Sequence, residues 1–343
     1  MQKTTTARAL AGAALAVGLL AATGCSSAGS TSAEQKTSNG DWETVTIEHA
    51  LGEAVITEKP ERIVTLGQGS TETAIALGTI PVGIEEYPWG SDDSGYLPWV
   101  NEAVTDQGAE LPVQFTGSTE LDIEAIVELE PDLILAPWSG VTQEQYDILT
   151  DIAPTVAYEE EPWVITWQDQ IEVIGEAMGQ SDEAAALIDD IDEQLASAAR
   201  EEYKDITFSY IYNTGPGTLG VFFEDEQRVA MVRALGLTVD PVVDELREYE
   251  VEGTDSASIG LENADKLADS DLIFTFYSDE ANREEIESQE LYQQIPAIER
   301  GSVVAPTEQP FVTGSSIINP LTVPWALERF VPLIDEAVAK LDK

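Results

Sequence analysis

The sequence predicts an α/β protein with two αβ sandwich lobes, each with a mainly parallel sheet, joined by a long rigid connecting helix. Three observations support this prediction. The chain has 343 residues, about the length of two domains. Short apolar runs alternate with helical patterns through both halves. One helix–strand pattern occurs near residue 132 and again near residue 271. The expected first lobe, connector and second lobe are residues 41–165, 166–203 and 204–343.

Seven runs of the sequence are expected to form strands. They are rich in Val, Ile, Leu, Tyr and Phe, and turn residues or helical patterns flank them. Because strands that are buried on both faces read as near-continuous apolar runs, we expect parallel sheets with helices on each side. The runs are residues 62–67, 81–86, 132–137, 155–158, 206–213, 272–277 and 302–306.

The same helix–strand unit is expected in both halves. Its copies are residues 121–140 and 259–278. Each begins with an acidic segment whose apolar residues recur at helical spacing, and each continues into Asp-Leu-Ile and a polar, aromatic loop. A repeat of this length indicates duplicated lobes and not a solenoid. Glu124 and Glu262 occupy matching positions near the start of the two helices.

The connector is expected to be helical. A first helix is predicted from Trp167 to Met178, and Gly179 ends it. Ser181 is the expected N-cap of a second helix that continues to about Tyr203. A helix of about 21 residues would be roughly 30 Å long, so it would join two lobes without a flexible hinge. The apolar stripe of this helix consists of Leu187, Ile188, Ile191, Leu195 and Ala198.

The first residues have the composition of an export signal. Lys3 and Arg8 precede an apolar run of small residues that ends at Cys25, the only cysteine. The run is too short for a comfortable transmembrane helix, and the residues before the cysteine resemble a lipobox. We therefore expect residues 1–24 to be a lipoprotein signal peptide and Cys25 to carry the lipid. Residues 25–40 are expected to be a flexible linker. A plain secretory signal is the alternative.

The charge of the chain restricts its partners. Asp and Glu number 65, Lys and Arg number 16, and the net charge is −49. Such a chain is not expected to bind nucleic acid or to be attracted to an anionic membrane surface. A solvated acidic surface is the simplest interpretation. No metal site is expected, because zinc and manganese sites use His with carboxylates and this chain has one His, His49.

Aromatic and polar side chains follow the ends of the expected strands. Because ligands bind beyond the carboxyl ends of strands in open αβ sheets, these side chains are candidates for ligand contact. A cleft lined by them would bury a bulky, partly apolar ligand and orient it through hydroxyl groups. Core packing is the alternative for each. The candidates are Tyr87, Trp89, Trp138, Ser139, Trp163, Tyr212 and Tyr277.

Two arginines are further candidates, since basic residues are scarce. Arg228 lies at the expected start of a helix, and Arg247 lies in a loop that could close over the cleft. A surface ion pair is the alternative for both. No catalytic residue is assigned, because the chain has no GxSxG or HExxH motif and no cysteine beyond the expected anchor.

In their order and spacing, these features resemble the helical-backbone class of periplasmic binding proteins, and within it the iron-siderophore-binding lipoproteins. The resemblance implies a monomer, lipid-anchored at the extracytoplasmic face of the cell membrane, that delivers its ligand to an ABC permease and its ATPase. It also implies that Glu124 and Glu262 pair with arginines of the permease, one on each lobe. The matching stretches are the connector and residues 61–84, 121–136, 227–237, 261–274 and 320–330.

A ferric siderophore is the expected ligand, with no cofactor, since its iron arrives already wrapped in chelating oxygens. A neutral or cationic hydroxamate complex is favoured over an anionic catecholate, because the sequence offers no basic cluster to pair with an anion. Other members of the resembled family bind cobalamin or haem, and these ligands remain alternatives. An exported hydrolase is the alternative from another class of protein.

Overall fold

The computed structural model describes residues 42–117, 120–251 and 254–341. The expected signal peptide, residues 1–24, and the expected linker, residues 25–40, lie outside the described residues, and so does Cys25. Within the described ranges, no helix combines the length and the apolar character needed to cross a membrane.

A hairpin precedes the first sheet, and its strands are β1 (Val45–His49) and β2 (Gly52–Ile56). The first sheet has five parallel strands in the order β5-β4-β3-β6-β7. These strands are β3 (Ile63–Thr65), β4 (Gly83–Glu85), β5 (Val113–Phe115), β6 (Leu133–Leu135) and β7 (Thr155–Val156). The accompanying helices are α1 (Ser70–Ala76), α2 (Pro98–Asp106), α3 (Ile123–Glu128) and α4 (Gln143–Thr150).

The first sheet is buried on both faces, as its apolar runs predicted. In the central strand β3, Ile63 faces one apolar cluster and Val64 faces another. The neighbouring strand β6 does the same, with Leu133 and Leu135 in the first cluster and Ile134 in the second. Since successive strand residues point to opposite faces, a run without polar residues requires cover on both sides.

Two helices connect the halves of the chain: α5 (Trp167–Met178) and α6 (Ser181–Ala198). Gly179 ends α5 with φ 67°, as expected. The expected N-cap was wrong, because Gln180 holds the N-cap position and Ser181 is already helical. The expected end was also wrong. The backbone leaves the helix at Ala199, which is extended, and residues 201–203 form a separate 3-10 turn. The 18 residues of α6 are therefore about 27 Å long.

The second sheet is mixed. Strands β8, β10, β12 and β13 pair in parallel, and β9 joins β8 and β11 in antiparallel pairs. The strands are β8 (Thr207–Gly215), β9 (Thr218–Phe222), β10 (Thr238–Val239), β11 (Ser256–Gly260), β12 (Leu272–Phe274) and β13 (Val303–Val304). The helices are α7 (Gln227–Ala234), α8 (Val242–Glu245), α9 (Glu280–Glu287), α10 (Glu290–Gln293), α11 (Pro296–Arg300), α12 (Gln309–Gly314) and α13 (Thr322–Val338), with 3-10 segments Leu246–Tyr249 and Leu261–Asp269.

The two Asp-Leu-Ile units belong to different sheets, which confirms the expected two-lobe architecture. The first unit supplies β6 and the second supplies β12. The acidic segment before β12 is a 3-10 helix, whereas its counterpart α3 is an α-helix. We call the first sheet with its helices the N-terminal lobe and the second sheet with its helices the C-terminal lobe. Lobe limits at residues 165 and 204 stay a prediction.

One apolar cluster continues from one lobe into the other through α5 and α6. It contains Leu133 of the first sheet, Ile174 of α5, Ile191 of α6 and Phe208 of the second sheet, all less than 2 % exposed. A second contact between the lobes is the edge-to-face pair of Trp99 and Trp325, whose ring centroids are 5.2 Å apart. A large hinge motion would expose this shared core, so small rearrangements are cheaper.

His49, the only histidine, is part of the hairpin structure. Its Nε2–H donates to the Thr155 carbonyl at 3.1 Å, and its Nδ1 accepts the Leu51 N–H at 3.3 Å. Burial lowers the pKa of the ring, which stays neutral in this arrangement. Over the described ranges, no group of three or more His, Cys, Asp and Glu is arranged to hold a metal ion.

Candidate ligand-binding cleft

The loops after β3 and β6 meet at the carboxyl edge of the first sheet. Chain order reverses between these two strands, and ligands bind at such switch points in open αβ sheets. Gly67, after β3, has φ 73°, and a Cβ there would lie 1.8 Å from the Trp138 carbonyl oxygen. Only glycine permits this close approach, so Gly67 fixes the loop that presents Trp138.

Replacing Gly67 with Ala is expected to lower the free energy of unfolding by about 3 kcal/mol, because a left-handed backbone and a backbone clash both oppose Cβ. Gly78→Ala is the matched control. Gly78 has φ 88° but no atom within 4 Å of a built Cβ, so only about 1 kcal/mol of backbone strain is expected. Urea denaturation of both variants checks this. Equal losses of unfolding free energy in the two variants would show that the clash with the Trp138 carbonyl does not contribute to the cost.

Trp138 and Trp163 form an indole pair at this edge. Their ring centroids are 4.8 Å apart at 71°, an edge-to-face arrangement. Trp163 is 46 % exposed and has φ 67°, which is unusual for so bulky a residue. A Cβ at Gly140 would lie 2.5 Å from the Trp163 ring, so this glycine makes room for the indole. Strained and exposed aromatic side chains of this kind concentrate at functional sites.

Residues of the C-terminal lobe face the indole pair. Together they enclose a cavity of about 260 Å³, which we call the interlobe cleft. Its lining comes from the loops after β6 and β7, from α5, from the turn before α7 and its first residue, and from the residue before β11. The lining residues are Trp138, Glu159, Glu160, Glu161, Trp163, Val164, Ile165, Thr166, Asp169, Asp225, Glu226, Gln227 and Asp255.

Arg228 follows these lining residues and lies among aromatic rings. Its guanidinium is 4.9 Å from the centroid of Phe222 and 5.4 Å from that of Phe276. The ring of Tyr212 stacks on Phe222, with 4.5 Å between centroids and 18° between planes. Attraction between a cation and the ring faces holds the guanidinium in place. We call Arg228, Phe222, Phe276 and Tyr212 the arginine nest.

Arg228 is also paired with a buried carboxylate. Its Nη1 donates to Glu226, which accepts the Arg228 backbone N–H as well. The two side chains are only 20 % and 13 % exposed. Burial raises the pKa of Glu226 even though Arg228 opposes the shift. The Arg228 Nε is buried and has no hydrogen-bond partner in the described part of the chain.

Asp255 and Gln227 are two further polar residues of the cleft. Burial raises the pKa of Asp255 to about 6, and the charges of Glu226 and Asp225 raise it further while Arg247 opposes them. Gln227 is 5 % exposed, and its Oε1 accepts the Ile318 N–H at 3.1 Å. Its Nε2 has no hydrogen-bond partner among residues 42–117, 120–251 and 254–341. The cleft therefore contains a buried donor without an acceptor.

The loop of Tyr87 and Trp89 bridges the lobes beside the cleft and does not line it. Trp89 is 40 % exposed, and its Nε1–H donates to the Ser278 carbonyl at 2.9 Å. Gln309 of α12 donates to the same oxygen at 3.0 Å. Tyr87 is half-buried, and burial raises the pKa of its hydroxyl well above the usual value, with Glu85 adding to the shift.

Three of the expected site residues have other surroundings. Ser139 is 3 % exposed, and its hydroxyl donates to the Ala136 carbonyl at 2.7 Å. Tyr277 is 6 % exposed and donates to Glu287, on the face of the sheet opposite Phe276. Arg247 is 44 % exposed, pairs with Asp244 at 3.1 Å and lies over the ring of Phe223. None of the three lines the interlobe cleft.

Sequence reasoning thus selected Trp138, Trp163, Tyr212 and Arg228, which lie in the cleft or in the arginine nest, and missed several of their neighbours. Strand alternation would have found Phe276, which shares a face with Phe274. On the C-terminal side of the cleft, no local signal distinguishes the missed lining residues from other polar loop residues. These are Asp225, Glu226, Gln227 and Asp255.

Glu124 and Glu262 are both exposed and lie in the first turns of their helices. Neither side chain has a salt bridge of 4.0 Å or less within the described ranges. They belong to different lobes. Their role in permease docking stays a prediction.

Known proteins resemble this chain over most of its length. A probable siderophore-binding lipoprotein of Bacillus subtilis, YfiY, is 28 % identical over 294 residues, which is 81 % of this chain and 84 % of the relative. The ferric enterobactin-binding periplasmic protein FepB of Escherichia coli is 25 % identical and covers 76 % of this chain and 82 % of its own.

Solved structures confirm the two-lobe fold. PiaA of Streptococcus pneumoniae in complex with ferrichrome superposes with a TM-score of 0.78 at 28 % identity, covering 86 % of this chain and 99 % of that one. SirA of Staphylococcus aureus complexed with staphyloferrin B has a TM-score of 0.64 at 25 % identity, covering 87 % and 99 %. Residues 63–310 match the family described as periplasmic binding protein. With two αβ lobes, a helical connector and a cleft at the strand ends, the chain belongs to the periplasmic binding protein family.

Proposed function

We propose that this protein is an extracytoplasmic solute-binding protein that captures a ferric siderophore, of the hydroxamate type, and delivers it as a monomer to an ABC importer. The observation that carries the proposal is the interlobe cleft, where the half-buried indole of Trp138 and the exposed indole of Trp163 line the same cavity as the buried Gln227 amide of the other lobe, whose nitrogen has no partner among the described residues. Indoles supply contact area for a bulky organic chelate, and the amide supplies a donor for its oxygens.

The lining of the cleft favours a hydroxamate over an anionic chelate. Among the described residues no Lys, Arg or His lines the cleft, and the nearby Arg228 is paired with Glu226. An anionic complex would be buried without a partner, which is costly. Similarity to YfiY and to PiaA, whose solved complex holds ferrichrome, supports a ferric siderophore as ligand. Family membership favours binding without catalysis.

The experiment is a titration of the purified protein, read by intrinsic tryptophan fluorescence. The probes are ferrichrome, ferrioxamine B, ferric enterobactin, cobalamin and haemin, with N-acetyltryptophanamide as the control for light absorbed by the ligand. Saturable quenching by a ferric hydroxamate, with the ligand recovered intact by mass spectrometry, is expected. Binding of cobalamin or haemin alone, or recovery of a cleaved ligand, would overturn the assignment in favour of the alternatives.

The proposal includes a lipid anchor on Cys25, supported by the sequence before it and by relatives named as lipoproteins. The anchor holds the protein at the outer face of the cell membrane, where a linker of residues 25–40 separates the folded part from the lipid. Metabolic labelling with a radioactive fatty acid is expected to mark the wild-type protein. A labelled Cys25→Ala variant would contradict the anchor.

Glu124 and Glu262 form the proposed contact with the permease. Replacing both with Gln is expected to leave the affinity for ferric siderophore unchanged and to lower cellular iron uptake severalfold, because each removes a charge that pairs with a permease arginine. The matched control replaces two other exposed acids of the same segments, as Glu128→Gln and Asp265→Asn. Uptake of radioactive ferric siderophore measures the effect. Equal uptake by both double variants would remove these residues from the interface.

A further inference from the structure

The interlobe cleft has a charge of one sign. Seven of its thirteen lining residues are Asp or Glu, and none of the lining residues is basic. They come from both lobes, with residues 159–161 and Asp169 on one side and Asp225, Glu226 and Asp255 on the other. Repulsion between these carboxylates is strongest when the cleft is narrow, so a ligand of positive charge would relieve it.

The basic residue that directly follows lining residues 225–227 in the chain already has partners. Arg228 pairs with Glu226, and the rings of Phe222 and Phe276 hold its guanidinium. Residues 159–161, Asp225 and Asp255 make no salt bridge of 4.0 Å or less within the described ranges. Asp169 makes none either, so six of the seven carboxylates of the cleft are without a paired cation in the described part of the protein.

A second observation points to a ligand independently of charge. Gln227 is 5 % exposed and lines the cleft. The Ile318 N–H can only donate, so its hydrogen bond identifies the Gln227 oxygen and leaves the amide nitrogen as the free end. That nitrogen has no partner among the described residues. Buried donors without an acceptor are rare in folded proteins, and an oxygen of a bound ligand would satisfy this one.

The high number of acidic residues in the chain does not by itself explain the carboxylates of the cleft. Most acids of the chain are solvated at the surface, where their charges are screened. Asp255 and Glu226 are partly withdrawn from solvent, and burial raises the pKa of both. Carboxylates kept in such surroundings, beside a donor and an indole pair, are typical of a ligand site.

We propose that the interlobe cleft selects a ferric hydroxamate with a net positive charge, namely one that carries a protonated amine. The amine faces the carboxylates of residues 159–161, Asp225 and Asp255, and Gln227 Nε2 donates to a carbonyl or hydroxamate oxygen of the chelate. This inference rests on the proposed function. It adds the sign of the ligand's charge and the residues that recognise that charge.

The test compares two chelates that differ in one charge. Ferrioxamine B carries a protonated primary amine, and its N-acetylated derivative is neutral with the same iron-binding groups. Isothermal titration calorimetry at low ionic strength is expected to give about tenfold tighter binding of ferrioxamine B. The preference is expected to shrink as NaCl is raised, because salt screens charges that solvent can reach.

Two double variants distinguish the effect of the charges in the cleft on this preference from the effect of the net charge of the whole protein. Asp225→Asn combined with Asp255→Asn is expected to abolish most of the preference for ferrioxamine B over its neutral derivative, since the contact with the ammonium group is lost. The control combines Glu144→Gln with Glu193→Gln, two exposed acids outside the cleft, and removes the same number of charges. It is expected to keep the preference.

The outcomes distinguish this inference from the proposed function. Equal affinity for the two chelates, or loss of the preference in the control variant, would overturn charge selection and leave a hydroxamate-binding protein. Failure of both chelates to bind would overturn the proposed function, and the inference with it. Thermal melting of each variant verifies that it is folded before its affinity is compared.

Discussion

Trp138→Ala and Trp163→Ala are each expected to weaken binding of the ferric siderophore by about 2 kcal/mol, roughly thirtyfold, as truncation of a central aromatic contact does. The two indoles form the apolar wall of the cleft, and each supports the other through their edge-to-face contact at 4.8 Å. Because they touch, the loss in the double variant is expected to be smaller than the sum of the single losses.

Isothermal titration calorimetry is the suitable measurement, since these substitutions alter the fluorescence signal itself. Ile148→Ala is the control, because Ile148 is 43 % exposed and lies on α4, outside the cleft. Its affinity is expected to equal that of the wild type. Trp138→Phe keeps part of the aromatic surface and is expected to lose less than Trp138→Ala. Wild-type affinity in both Ala variants would place the ligand elsewhere.

Arg228→Ala is expected to lower the free energy of unfolding by about 3–5 kcal/mol, the usual cost of removing one partner of a buried ion pair. The substitution leaves Glu226, which is 13 % exposed, without its guanidinium and empties the space between Phe222 and Phe276. Urea denaturation measures the loss. Arg247→Ala removes a pair whose members are 44 % and 85 % exposed, and less than about 1 kcal/mol is expected.

A double variant tests why Arg228→Ala is expected to lose stability. Glu226→Gln combined with Arg228→Met removes both charges and keeps similar volumes, so it is expected to recover most of the stability lost in Arg228→Ala. Stability as low as that of Arg228→Ala would assign the loss to packing against the rings instead of to an unpaired carboxylate. The affinity of the same variants for the ferric siderophore shows whether the arginine nest contributes to ligand binding.

The size of the cleft bears on how a ligand enters. Its volume of about 260 Å³ is below the range of roughly 300–1,000 Å³ that is usual for ligand pockets. The lobes share a core through α5 and α6 and touch again at Trp99 and Trp325. We therefore expect the chelate to project from the cleft, or the loops of Trp89 and Trp163 to move, without a wide rotation of the lobes.

The residue sequence was sufficient to predict four of the five strands of the first sheet. Residues 62–67, 81–86, 132–137 and 155–158 enclose β3, β4, β6 and β7. A strand that is buried on both faces must be apolar throughout, and this requirement is visible within a few residues. Strand β5 was missed because Val113 and Gln114 are exposed or half-buried, so its pattern resembles that of a loop.

The residues of the candidate site were predictable only where a local sequence pattern, such as an aromatic residue after a strand, indicates them. Trp138 and Trp163 follow strands, and strand ends converge at one edge of a parallel sheet, so their meeting was foreseeable. Tyr277 was selected for the same reason, but alternation turns it to the face of the sheet opposite Phe276. The side chain next to it was the one that faces Arg228.

What the sequence by itself determined is the local pattern: apolar strands, amphipathic helices and the glycine that ends α5. Only the tertiary structure decided which loops enclose the cleft. Asp225 and Gln227 lie more than sixty residues along the chain from Trp163, and no spacing rule connects them. Local patterns follow from backbone geometry, whereas the meeting of two lobes follows from burial of their shared core, which no single segment contains.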